Sequence, residues 1–156
     1  MSDEVPDDLS GLDEPVTVAL LLTQVAAAEP LAAVCSLSGV VAQAISSGVG
    51  AVAVLGDPGA GPAGAAAVSR LLAGTTVVLL ERRAGAIGAT SWAGGHQDSE
   101  LAPGLVLSQA PTLVEDLLLG DVLPEAVEGA VSSAGISRLR ALRLLAKVSR
   151  RGRSRP

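Results

Sequence analysis

A chain of 156 residues, 49% hydrophobic, is about one domain long and can bury a core. With one Trp and no Phe or Tyr, that core must be built from Ala, Val and Leu, which predicts modest stability. Net charge is -5, but the charges are separated. Residues 138–156 carry 8 of the 11 bases and no acid, whereas six acids (Asp3, Glu4, Asp7, Asp8, Asp13, Glu14) fall in the first 14 residues.

That acidic head, residues 1–15, reads as disordered and lacks the basic region of a secretory signal. The first long apolar run, 16–28, is too short to span a bilayer, so no transmembrane segment and a cytoplasmic protein are expected. Cys35 is the only cysteine and His96 the only histidine, which excludes an intrachain disulfide and argues against a protein-only zinc site; no metal ligands are assigned.

In chain order, VTVALLLTQVAAA at 16–28 is apolar almost all round and predicts a buried helix stopped by Glu29-Pro30. Residues 31–47 predict a second helix, and 51–55 a short strand covered on both faces. A turn at 59–64, a helix at 65–73 and a strand at 75–80 then complete a βαβ unit, its two strands expected as parallel neighbours. Residues 84–104 read as a long loop and 104–108 as a short third strand. Pro111-Thr112 opens a helix in which Thr112 and Glu115 form a capping box, and Pro124 opens another. Residues 137–148, SRLRALRLLAKV, make a basic amphipathic helix ending in a loose RRGRSRP tail.

The fold class is therefore α/β: a small, partial Rossmann-like βαβ unit at 50–81, inside a domain at 16–136, with flanking helices. The strongest chemical signal lies in this unit. Gly59, Gly61 and Gly64 satisfy G-x-G-x-x-G, and Glu81 closes the second strand at the distance of a ribose-binding carboxylate. Gly59 and Gly61 would let backbone amides approach a pyrophosphate, and Gly64 would let helix and strand pack closely. The competing reading is a glycine-rich connection in an inert domain, with Glu81 a solvated strand end.

GAGPAG at 59–64, VVLLER at 77–82 and GATSWAGG at 88–95 together resemble the FAD-binding segment of flavoproteins of the fumarate reductase and 3-ketosteroid dehydrogenase type. The resemblance implies FAD as cofactor, with Gly88, Thr90, Gly94 and Gly95 joining Gly59, Gly61, Gly64 and Glu81 in holding it. Asp57 and Pro58 depart from the family, whose strand runs directly into the first glycine. Family enzymes are also several times longer, and the steroid dehydrogenases use tyrosines that this chain lacks. The implied protein is an FAD-binding fragment or remnant of an oxidoreductase, not catalytically self-sufficient, with no catalytic residue assigned and a protein partner supplying the substrate domain.

The alternative is a non-enzymatic interaction protein that engages a partner or an anionic surface through its basic C-terminal helix. Without aromatic platforms and with an acidic body, sequence-specific nucleic-acid binding is not expected. AAVCSLSGVVAQAI around Cys35 faintly resembles the nucleophile elbow of β-ketoacyl synthases, set against a buried inert thiol; Trp92 is expected to plug a core and His96 to be exposed.

Overall fold

A computed structural model describes the backbone of residues 15–153 and the side chains through Lys147. The acidic head, apart from Pro15, and the last three residues of the basic tail lie outside the described residues.

The elements are β1 (Val16–Leu22), α1 (Ala28–Leu37), β2 (Ala42–Ile45), β3 (Val52–Leu55), α2 (Gly61–Leu71), β4 (Val77–Arg83), β5 (Ala86–Ala93), β6 (His96–Leu101), α3 (Pro103–Gln109), α4 (Thr112–Leu119), β7 (Val131–Ser132) and α5 (Arg138–Arg153). The protein is mixed α/β with a single seven-stranded sheet in the order β6-β5-β4-β1-β3-β2-β7, every neighbouring pair antiparallel. Its central part, β1-α1-β2-β3-α2-β4 with strand order 4-1-3-2, is the split β-α-β, ferredoxin-like arrangement.

This topology corrects the expectation of parallel neighbours. β3 and β4 do run in the same direction across α2, but β1 lies between them, pairing Leu20 with Val54 on one side and with Leu80 on the other. The cause is the first segment, which is a strand and not a helix. VTVALLL is apolar all round because both of its faces are covered: Ala19 and Leu21 point toward α1 and α2, Leu20 toward α4. A sandwiched strand and a buried helix leave the same apolar signature over seven residues.

The Glu29-Pro30 pair starts α1 instead of stopping a helix, since a proline in the first turn forfeits no intrahelical bond. Ser46 caps this helix from across the fold, its Oγ accepting the Ala28 N–H at 2.8 Å. At the other end Gly39, in the left-handed region at φ 74°, closes a Schellman motif with Val40 N–H bonded to the Cys35 carbonyl at 2.8 Å. The second expected helix therefore ends at Leu37, and Ala42–Ile45 is a strand.

The expected long loop at 84–104 is two hairpins. Ala84-Gly85 joins β4 to β5 and Gly94-Gly95 joins β5 to β6, each a two-residue connection with both residues at positive φ, as a type I′ turn requires. The strand expected at 104–108 is α3, with Pro103 in its first turn. The capping box at Thr112 does not form: Pro111 is the cap residue and Thr112 is already helical. The helix expected from Pro124 is a single 3-10 turn, Pro124–Ala126.

Two cores flank the sheet. On one side α1, α2 and α5 close over Ala19, Leu21, Ala53, Val77, Leu79 and Trp92; on the other α4 buries Val114, Leu117 and Leu118 against Leu20, Val54 and Leu80. α5 belongs to the first core through its fully buried Ala141. Ser137 caps it, accepting the Arg140 N–H at 3.2 Å.

Candidate functional site

The glycine segment begins where β3 ends. Asp57 is extended and caps the 3-10 turn Pro58–Ala60, its Oδ1 accepting the Gly59 N–H at 3.0 Å; Gly61 then opens α2 with Pro62 behind it. Gly61 faces β4 closely. A Cβ at this position would lie 2.8 Å from Glu81 Oε2 and 3.2 Å from Leu79 Cδ1. Gly64, one turn along, packs on Leu55 and Val40, where a Cβ would meet Leu55 Cδ1 at 3.4 Å.

Gly61 and Glu81 are thus brought together, and Gly88 stands opposite Glu81 in the β4–β5 register. Gly59, Thr90, Gly94 and Gly95 do not complete a single site with them. Gly59 has its amide taken by Asp57. Thr90 pairs with Leu79, further along β5, and its Oγ1 accepts the Trp92 indole N–H at 2.9 Å. Gly94 and Gly95 form the hairpin turn beyond, at the far end of α2, where the Gly95 N–H donates to Ser69 Oγ at 2.9 Å. These residues are strung along about 12 Å of helix between Gly61 and Ser69.

The electrostatics of the α2 N-terminus follow from two carboxylates. Asp57 occupies an amide that a pyrophosphate would need, and Glu81 lies against the first helical residue. Burial pushes the Glu81 carboxyl above the ordinary glutamate range, partly opposed by the nearby Arg83 guanidinium. A site already holding its own anions disfavours another. The neighbouring groove, about 330 Å³ and bounded by Val40, Val41, Asp57, Ala60 and Gly64, is mainly apolar.

Three other residues singled out in the sequence lie away from this segment's helix start. Cys35 sits inside α1 with no exposed surface, and burial pushes its thiol up to about 12, which removes the thiolate that a nucleophile needs. Trp92 is 9% exposed and lies in the helix-side core. His96 is exposed at the start of β6. Among the described residues no group of three His, Cys, Asp or Glu is placed to hold a metal, and no helix is long and apolar enough to cross a membrane.

Two features escaped the sequence reading. Arg82, on the β4 face opposite Glu81, donates through Nη1 to the Leu118 and Leu119 carbonyls at 3.3 and 3.0 Å, closing the C-terminal end of α4. A cleft of about 690 Å³ contains none of the glycine-segment residues. It lies between α1 and α5, lined by Val25, Pro30, Val34, Leu72, Leu144 and Lys147 among others.

α5 itself presents two faces. Ala141, Leu144 and Leu145 turn inward, and Arg140 pairs with Glu29 of α1 at 3.8 Å. Leu139 and Leu142 turn outward, 59% and 53% exposed, between Arg138 on one side and Arg143 and Lys147 on the other. No family model matches the chain, and no curated protein or solved structure does.

Proposed function

We propose that this is a non-enzymatic interaction protein whose α5 helix engages an acidic protein surface with an apolar centre. The observation that carries the reading is the outward Leu139–Leu142 stripe. Other large apolar residues are as exposed, Leu105 and Leu123 among them, but Leu139 and Leu142 lie one turn apart on a helix, between Arg138 on one side and Arg143 with Lys147 on the other. Exposed leucines rimmed by cations suit a partner that buries the apolar pair and answers Arg138, Arg143 and Lys147 with carboxylates. In the test, wild type and Leu142→Asp are used as bait in extracts of the source organism, after both are shown to melt alike. An acidic partner held by wild type and lost by the variant is the expected result; equal recovery by both contradicts it.

A second reading, an FAD-holding remnant of an oxidoreductase served by a partner's substrate domain, draws on the approach of Gly61 to Glu81 with Gly88 alongside. It ranks below the first because Asp57 takes the Gly59 amide and β1 separates the two strands that should flank the ligand.

A further inference from the structure

Resting on the reading of α5 as an interface, we infer that the chain's own acidic segment, residues 1–14, docks on the outward face of α5 and competes there with the partner. Charge supplies the first argument. The segment holds six acids and no base, while α5 from Arg138 to Lys147 holds four bases and no acid, of which only Arg140 is paired within the described residues. Apolar chemistry supplies the second: Val5, Leu9 and Leu12 punctuate the acids, matching the exposed Leu139 and Leu142 between cations.

Position supplies the third argument. Val16, the first residue of β1, packs into the same helix-side core as Ile136, just before α5, and Ala141 within it. Fourteen residues reach up to about 46 Å when extended, against about 24 Å for the whole length of α5. Tethering provides an effective concentration on the order of millimolar, enough to populate contacts too weak to persist between separate molecules. Exposed charge pairs are screened within about 8 Å at physiological salt and about 3 Å at 1 M, so docking weakens as salt rises.

The test uses the full chain with a nitroxide on Ser2→Cys, Cys35 being buried. The expected result at low salt is loss of the amide signals of Leu139, Leu142 and Arg143 by paramagnetic broadening. Those signals return in 1 M salt and in an Arg138→Glu, Arg143→Glu, Lys147→Glu variant. Unbroadened α5 signals, or broadening that survives charge reversal, overturn the inference. So does broadening that appears only when labelled and isotope-enriched molecules are separate chains. The readout needs no partner, so failure of the partner experiment with these signals still lost would count against the proposed function alone.

Discussion

Glu81 Oε2 lies 2.8 Å from the point at which a side chain on residue 61 would begin, so the glycine that opens α2 makes room for a carboxylate of the chain itself. Gly61→Ala should therefore lower stability, with Glu81 forced aside and Leu79 pressed, at a cost of about 1 kcal/mol. The same change in a Glu81→Ala background should cost less. A double-mutant cycle in urea measures this coupling, and strict additivity would contradict the contact.

Glu81 also predicts a pH dependence. Its carboxyl is raised in the folded state by burial, so between the unfolded value of 4.5 and the folded one the native chain holds more proton than the unfolded chain. Stability contributed by this group is present below pH 4.5 and is lost as pH rises through the folded value. Glu81→Gln should equal wild type at low pH and exceed it slightly near neutrality, the gain kept small by the partial exposure of the group and by the nearby Arg83. Urea midpoints from pH 4 to 8 give the comparison; a variant less stable at neutral pH would refute the assignment.

The hairpin turns make opposite predictions. Ala84 stands at φ 51°, a left-handed position for which a type I′ turn favours Asn or Gly, so Ala84→Asn should stabilise by about 0.5–1 kcal/mol. Gly95→Ala should destabilise by about 1 kcal/mol, since φ is 93° and the new methyl would meet the Arg70 guanidinium. Gly50→Ala should be worse: at φ 127° its methyl would fall against the Thr23 carbonyl oxygen, which is backbone and cannot swing away. Thermal melts order the three variants.

Cys35 should resist thiol reagents in the native protein and react at once in denaturant, because burial keeps its pKa about 12. Rapid labelling of folded protein at pH 8 would contradict the packing of α1.

Short-range signals were the legible ones. The β3 strand, α2, β4, α4 and the amphipathic α5 were readable from apolar periodicity and punctuation, whereas the contact of Gly61 with Glu81 was not, both residues having been expected to face a cofactor. What was not readable is long-range. Nothing local in VTVALLL distinguishes a strand covered on both faces from a buried helix, and that one segment decides whether β3 and β4 are neighbours. Gly94-Gly95 satisfies both a phosphate loop and a type I′ hairpin by composition; only the pairing of Ala93 with His96 separates them. Ser46 over α1 and Arg82 on α4 cap helices from distant strands, a relationship that no local motif announces.

If the outer face of α5 is the functional surface, as proposed, the glycine segment serves the fold alone. Titration of FAD into the purified full chain, followed through flavin fluorescence and the emission of Trp92, tests that division most directly. It predicts no saturable change in either signal. Saturable binding that quenches Trp92 and disappears in Glu81→Ala would contradict it and restore the segment from Gly59 to Gly95 as a cofactor site.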